Sequence, residues 1–367
     1  MKKPNLTYAA SGVNYDALDP FKRAAQAAAA ATAPNIKRFG LADVASSRGE
    51  SAYLMEAPTH YLAHVEEGLG TKNLVADAVA EITGKTYYDA IAQDTVAMIV
   101  NDLITLGALP LSVAMHLGVA SGEWFADEAR TQALVAGWKR ACDLAGCVWG
   151  GGETPALAGV VEPGTALLSG SAVGIIKPKE RLITGTIAAG DAIVMFASSG
   201  IHANGLTLAR RIAESTGYDA KLSDGRLYGE ALLDPTPIYV PAIEACQDAG
   251  INLHYAVNIT GHGWRKLMRA PEPFIYQIDT LPELHPVFSF MQEHGPVDDH
   301  EAYGNFNMGA GFAVYVDPAD SDGVIAAAKA HGIHAWVAGS VRTDGQSKRV
   351  VIKPKDLSYE GDSLGVR

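Results

Sequence analysis

Short apolar runs along the chain are repeatedly followed by glycine-containing polar loops and then by segments with helical spacing. The first such unit begins with the apolar run 61–65, which predicts a buried strand, and continues into the helical pattern 73–81. Between them, the segment 66–72 (E-E-G-L-G-T-K) combines glycines, carboxylates and Lys72. Glycine amides and a helix N-terminus favour anions, whereas glutamates repel them. The segment therefore predicts a divalent cation between its carboxylates and a phosphate group.

The segment 87–107 predicts a buried helix, because apolar residues surround it almost completely. Asp94 and Asn101 are nearly two helical turns apart and share one face, with Asp102 beside them. Buried carboxylates are costly without partners, which could be backbone groups or basic side chains. We favour metal coordination or nucleotide contact, because Glu67 supplies a further acid in the same half of the chain.

The glycine run 150–152 follows a predicted strand at 147–149 and precedes Glu153. Such a run can form a backbone nest for phosphate, and Glu153 again places a carboxylate beside it. We expect Gly151, Gly152 and Glu153 to contact nucleotide phosphates.

The second half begins with a predicted strand at 192–197, a polar loop at 198–205 and a helix at 206–214. Hydroxyl, amide and imidazole groups in this loop could cap the helix or contact a ligand, and we favour ligand contact. The imidazole is expected to titrate near neutrality. The candidates are Ser198, Ser199, His202 and Asn204.

The segment 255–263 predicts another strand that passes into a glycine loop, and Arg265 and Lys266 follow it. Glycine amides together with two cations suit a phosphate monoester. The candidate substrate contacts here are Asn258, Thr260, Gly261 and Arg265.

A strand at 167–176 closes the first half, and the charged segment 177–181 marks the predicted boundary between domains 1–177 and 178–367. A length of 367 residues favours two domains. Strands, glycine loops and helices recur in both, so the predicted class is α/β (α+β), with a polar tail after the last strand at 335–341.

The composition of the chain limits the kinds of partner that it can bind. A hydrophobic content of 48% with 19% charged residues is that of a globular protein. The net charge of −12 argues against nucleic acid and anionic membranes. No apolar run approaches the ~20 residues of a membrane span. Three cysteines without zinc-type spacing are typical of reduced thiols, so we expect a cytoplasmic protein.

Six motifs, taken in order, resemble those of the aminoimidazole ribonucleotide synthetase family, also called phosphoribosylformylglycinamidine cyclo-ligases, of purine biosynthesis. They are E-G-L-G-T-K (67–72), D-T-V-A-M-I-V-N-D (94–102), G-G-E-T (151–154), S-S-G-I-H-A-N-G (198–205), N-I-T-G-H-G (258–263) and F-N-M-G-A-G (306–311). The resemblance implies two α/β domains and a homodimer in which the N-terminal mixed sheets join as a barrel at the interface. It also implies ATP and a small nucleotide substrate bound in clefts near that interface.

By this resemblance, ATP phosphorylates the formyl amide oxygen of formylglycinamidine ribonucleotide, and a nitrogen then closes the imidazole ring and expels phosphate. Mg²⁺ would be held by Glu67, Asp94 and Asp102. Lys72 and Asp94 would take part in catalysis, and His202 and His262 are candidates for the proton acceptor. The implied ATP contacts are Glu67, Gly68, Gly70, Thr71, Lys72, Asp94, Asn101, Gly151, Gly152 and Glu153.

Several positions depart from the family pattern. Glu67 replaces an aspartate, Met115 replaces another, and the segment 155–159 lacks an acid that the family carries. Asn258 and His262 replace a histidine and a glycine. These departures concern the substrate more than the use of ATP. Two alternatives therefore stay open: an ATP-dependent kinase or amide-activating enzyme of the same superfamily, and a non-catalytic nucleotide-binding subunit.

Overall fold

Two β-sheets, one in each half of the chain, organise the fold. The computed structural model describes residues 15–183, 185–295 and 297–364. Every strand of the first sheet precedes residue 177, and every strand of the second follows residue 191. The α/β class and the organisation around two sheets predicted from the sequence are confirmed.

The first sheet has six strands in the order β1-β2-β3-β6-β4-β5, antiparallel except for the parallel pair β4–β5. The strands are β1 Ala42–Asp43, β2 Tyr53–Glu56, β3 Tyr61–Gly68, β4 Leu109–Val119, β5 Val148–Glu153 and β6 Ala166–Ile176. The helices of this half are α1 Tyr15–Ala31, α2 Lys72–Thr83, α3 Tyr88–Leu103 and α4 Glu128–Ala145.

Helix α3 lies at the centre of the first half, as predicted from the apolar residues on nearly all of its sides. It packs against β3, β6 and β4 on one side and against α4 on the other. The close approach of α4 depends on Gly137, where an added Cβ would lie 2.5 Å from the carbonyl oxygen of Asp89. Four polar residues of α3, Asp94, Thr95, Asn101 and Asp102, are therefore buried and must find partners within the protein.

The second sheet has seven strands in the order β13-β12-β9-β11-β7-β10-β8, antiparallel except for the parallel pair β12–β9. The strands are β7 Ala192–Ala197, β8 Tyr255–Asn258, β9 Ile275–Ile278, β10 Ala310–Val316, β11 Ala335–Arg342, β12 Arg349–Ile352 and β13 Leu357–Glu360. The helices are α5 Leu206–Thr216, α6 Tyr228–Leu232, α7 Val240–Asp248, α8 Pro286–His294, α9 Asp299–Asn305 and α10 Ser321–Ala330. None of the helices in the described ranges combines the length and apolarity needed to cross a bilayer.

The predicted polar tail is wrong, because it contains β12 and β13. Both strands are short, and pairing with β9 decides their structure. Val350, Ile352 and Tyr359 are buried there at alternate positions, a pattern too brief to outweigh the polar residues around it. Strand β9 and helices α8 and α9 were also not predicted.

Two segments predicted as phosphate-binding loops belong to strands. Glu67 and Gly68 continue β3, paired with Gly170 and Ser169 of β6. The glycine run 150–152 lies in the edge strand β5. An added Cβ would lie 2.1 Å from the Ser112 hydroxyl at the first of these glycines and 2.1 Å from a β4 carbonyl oxygen at the third. These glycines permit close strand pairing, and they do not form a nest.

Candidate active site

A buried ion pair joins the two halves of the chain. The Nζ of Lys72 lies 2.7 Å from Oδ2 of Asp94, and both side chains are fully buried. Oδ1 of Asp94 accepts hydrogen bonds from the backbone N–H of Thr236 at 2.9 Å and from its hydroxyl at 2.5 Å. Lys72 also donates to the carbonyl oxygen of Asp234 at 2.9 Å. Burial raises the pKa of Asp94, and the ammonium of Lys72 opposes that shift.

Asn101, two turns further along α3, binds the same turn of the second half. Its Nδ2 donates to the carbonyl oxygen of Pro237, and its Oδ1 accepts from the N–H of Tyr239, both at 2.9 Å. Gln93 adds a hydrogen bond to the carbonyl oxygen of Thr236 at 3.0 Å. The turn 234–239 is therefore held along one side of α3, and two of the side chains that hold it, Asp94 and Asn101, were predicted from the sequence to bind nucleotide.

A cavity of about 590 Å³ opens next to this junction, with walls from both halves. This volume is typical of a small-molecule site. Residues from four of the six motifs meet in it. The predicted site residues that line it are Glu67, Asp102, Asn204, Thr260, Gly261 and His262.

Acids and a lysine face each other inside the cavity. Burial and the charge of Asp102 raise the pKa of Glu67 to about 7. Burial lowers the pKa of Lys266 to about 8, and Asp102 opposes the shift, so the lysine stays mainly protonated at neutral pH. Lys266 donates a hydrogen bond to the hydroxyl of Thr260, and Asp102 accepts one from Nδ2 of Asn258 at 2.8 Å.

The two candidate histidines differ in position, and both are neutral at pH 7. His262 lines the cavity, and burial together with the charge of Arg265 lowers its pKa to about 4. His202 is only 2% exposed, and its Nε2 accepts the N–H of Ser199 at 3.4 Å. Burial and the charge of Lys72 lower its pKa to about 3, so the expectation that it titrates near neutrality is wrong. Both residues have positive φ, 62° and 75°, which is uncommon outside glycine.

Three predicted substrate contacts hold the second half together instead. The hydroxyl of Ser198 donates to Oδ1 of Asn307 at 2.9 Å, and the hydroxyl of Ser199 donates to the carbonyl oxygen of Pro235 at 2.7 Å. Arg265 donates to three backbone carbonyl oxygens. In the described chain these three side chains do not line the cavity.

The glycine segments predicted to bind ATP also lie apart from the cavity wall. Gly70 has a φ of 74° in the turn before α2, with Thr71 next to it. Gly151, Gly152 and Glu153 are exposed on the edge strand β5. Their contact with a nucleotide remains a prediction.

The predicted magnesium ligands do not converge. Glu67 and Asp102 face the cavity, but Asp94 is engaged by Lys72 and Thr236. Within the described ranges, no group of three or more His, Cys, Asp or Glu side chains is placed to hold a metal ion. The residues present therefore do not fit the three-carboxylate site that the sequence predicted.

One wall of the cavity was not predicted at all. Arg269 donates from Nη1 to the hydroxyl of Ser51 at 2.8 Å and from Nη2 to the carbonyl oxygen of Gly49 at 2.7 Å. Glu50 accepts a hydrogen bond from the hydroxyl of Tyr255 at 2.8 Å. These contacts attach the segment before β2 to the second half. No glycine motif marks that segment, so the sequence carries no local signal for it.

The fold and the cavity define a two-domain α/β protein with a candidate site between the domains. Family models identify the family to which it belongs. The N-terminal domain of AIR synthase related proteins matches residues 49–176, and their C-terminal domain matches residues 188–352. The chain belongs to the AIR synthase family, and the family predicted from the six motifs is confirmed.

Relatives match along nearly the whole chain. The phosphoribosylformylglycinamidine cyclo-ligase of Methanococcus maripaludis is 33% identical over 356 residues, which cover 95% of this chain and 96% of the relative. The enzyme of the same name from Burkholderia lata is 36% identical over 363 residues, which cover 95% and 97%. The solved structure of AaThiL complexed with AMPPCP and TMP has a TM-score of 0.55 at 16% identity, covering 84% of this chain and 89% of that chain. At this identity the structural likeness shows the fold alone.

Removing the carboxylate of Asp94 should destabilise the protein. Asp94→Ala leaves Lys72 as an unpaired buried charge, so the free energy of unfolding should fall by about 3–5 kcal/mol. The double variant Lys72→Met/Asp94→Leu should recover much of that loss, because it leaves no buried charge. Urea unfolding measures both changes. As a control, Asp143→Ala removes an exposed ion pair with Lys139 and should cost at most about 1 kcal/mol. An Asp94→Ala effect as small as the control's would contradict the buried pair.

The titration of Glu67 should appear in the pH dependence of stability. Its pKa is raised from 4.5 to about 7, so the folded state holds a proton that the unfolded state releases in this interval. The unfolding free energy of the wild type should therefore fall relative to that of Glu67→Gln as pH rises from 4.5 to 7, with the two curves parallel below that interval. Urea titrations at a series of pH values test this, with exposed Glu66→Gln as the matched control. A constant difference between wild type and Glu67→Gln would contradict the raised pKa of the half-buried Glu67.

Proposed function

We propose that the chain is a phosphoribosylformylglycinamidine cyclo-ligase, which uses ATP to convert formylglycinamidine ribonucleotide into aminoimidazole ribonucleotide, ADP and phosphate. The observation that carries the proposal is the convergence of four motifs of this family on one interdomain cavity. Full-length relatives that bear this name support it. The corresponding role is purine biosynthesis in the cytoplasm.

The reaction has two steps with different electrostatic needs. ATP first transfers its terminal phosphoryl group to the formyl amide oxygen, so negative charge must be met by a cation. A substrate nitrogen then attacks the activated carbon, the carbon–oxygen bond breaks, and phosphate leaves as the imidazole ring closes. That nitrogen must lose a proton to an acceptor.

The cavity offers one group for each need. The ammonium of Lys266 faces into it beside Glu67 and Asp102 and can meet a phosphoryl group. Both candidate histidines are neutral at pH 7 and can accept a proton, but His262 lines the cavity whereas His202 is buried away from it. We therefore assign the acceptor role to His262. Asn204 and Thr260 supply neutral hydrogen-bonding groups at the same wall.

The purified protein should release ADP and form aminoimidazole ribonucleotide when given ATP, Mg²⁺ and formylglycinamidine ribonucleotide. Asp102→Asn keeps an acceptor for Asn258 but removes the charge, and should lower kcat/KM roughly 100-fold. A coupled assay measures ADP release and therefore kcat/KM, and chromatography detects aminoimidazole ribonucleotide. Asp143→Asn, an exposed change on α4, is the matched control and should leave kcat/KM unchanged. ADP release without this product would favour the alternative of a related enzyme with another substrate.

We also propose a homodimer formed through the first sheet. Helix α3 covers one face of that sheet, and the other exposes apolar side chains on neighbouring strands. Leu167 and Val173 of β6 are 46% and 41% exposed, and Leu111 of β4 is 45% exposed. An apolar face of this kind is typical of a protein–protein interface, and a second copy would bury it.

Replacing Val173 with glutamate should therefore weaken the dimer. Val173→Glu places a charge at the centre of the exposed face, whereas Val337→Glu makes the same change on β11 of the second sheet at 43% exposure. Light scattering after size exclusion should give a dimer for the wild type and for Val337→Glu, and a shift toward monomer for Val173→Glu. A monomeric wild type at micromolar concentration would overturn the proposed dimer without bearing on the catalytic assignment.

A further inference from the structure

We propose that Lys266 is the resident cation of the cavity and occupies the electrostatic role that the sequence assigned to a divalent metal ion. In this chain, the carboxylates of Glu67 and Asp102 are balanced by an internal ammonium group, and the ligand-free protein excludes divalent cations from them. The inference deepens the proposed function by naming the group that meets an anionic ligand. It rests on that function only for the nature of the ligand.

Too few carboxylates are available in the cavity for a protein-built magnesium site. A third carboxylate, Glu50, also lines the cavity, but it accepts a hydrogen bond from Tyr255 and lies 3.6 Å from Nε of Arg269. Mg²⁺ requires six oxygen ligands in near-octahedral geometry. Asp94 cannot contribute, because Lys72 and Thr236 engage its oxygens in a fully buried position. Of the predicted ligands, only Glu67 and Asp102 face the cavity, and Asp102 already accepts a hydrogen bond from Asn258.

A positive charge lines the same cavity as these two carboxylates. Lys266 lies on the short 3-10 helix Gly263–Met268, which directly follows the glycine turn at Gly261. Its ammonium is oriented by the hydroxyl of Thr260 on the wall that also presents Glu67 and Asp102. The ammonium of Lys266 would repel a divalent ion that entered between the acids. In addition, two acids whose charge is already balanced by a cation attract a divalent ion less strongly.

Two other basic side chains line the cavity and do not take this place. Lys22 of α1 is exposed to solvent, and Arg269 directly follows the helix that carries Lys266. Arg269 follows Lys266 by about one turn, but its guanidinium donates to Ser51 and to the Gly49 carbonyl oxygen. Its hydrogen bonds thus attach one wall of the cavity to the other half of the chain. In the described structure, by contrast, the ammonium of Lys266 donates only to a neutral hydroxyl, that of Thr260.

The test measures Mn²⁺ binding to the ligand-free protein by electron paramagnetic resonance, with no substrate and no turnover. Lys266→Met should bind Mn²⁺ roughly tenfold or more tightly than the wild type, because the acids lose their internal partner. The double variant Lys266→Met/Glu67→Gln should lose that gain. Lys329→Met, an exposed change of the same kind on α10, should match the wild type.

Lys266→Arg keeps the charge and should exclude Mn²⁺ as the wild type does, and it serves as the folded comparison if Lys266→Met is unstable. In that event Lys266→Gln replaces the methionine variant in the same titration. The proposal is overturned if the wild type binds Mn²⁺ as tightly as the neutral variants, or if the gain survives Glu67→Gln. Because binding is read without substrate, a failure to form aminoimidazole ribonucleotide would leave this result intact.

Discussion

The buried pair of Lys72 and Asp94 is the interaction on which the arrangement of the two halves depends. Two opposite charges withdrawn from water are tolerated only when each is paired and hydrogen-bonded. Here the second half supplies the remaining partners, namely the carbonyl oxygen of Asp234 and the N–H and hydroxyl of Thr236. The turn between them is thereby docked on α3, and the two walls of the cavity are brought into register. Separating the halves would open the cavity to solvent and would also remove the hydrogen-bond partners of two buried charges.

The cavity shows how a protein of net charge −12 can hold an anionic ligand. The long-range field of such a protein repels phosphate, so attraction must come from local groups. Lys266 provides a charge in a partly enclosed space, where Coulomb interactions are stronger than in water. The acids opposite it keep that charge balanced while the site is empty. His262 completes the wall as a neutral imidazole.

Glycine and positive φ serve packing more than ligand binding in this protein. In strand β5, glycine permits an approach to β4 that an added side chain would block. At Gly311, an added Cβ would lie 2.1 Å from the hydroxyl of Tyr239 and 2.4 Å from the ring of His202. His202 is thus enclosed by neighbours that leave little freedom, and its positive φ is maintained by that packing. At these positions the glycine reflects a lack of space, whereas an added Cβ at Gly151 would have no neighbour within 4 Å.

The sequence by itself determined the family, the two-sheet α/β class and most of the regular elements, because motif order and hydrophobic period are local properties of the chain. Glu67, Asp102 and His262, which the sequence proposed as site residues, line one cavity in the structure. Only the tertiary structure determined which residues the polar side chains of α3 contact. Asp94 and Asp102 lie on the same buried helix, yet one is enclosed by Lys72 and the other opens to the cavity. Helical spacing predicts the direction in which a side chain points, but it does not predict which residues it contacts. Those contacts depend on how the distant turn 234–239 docks on α3.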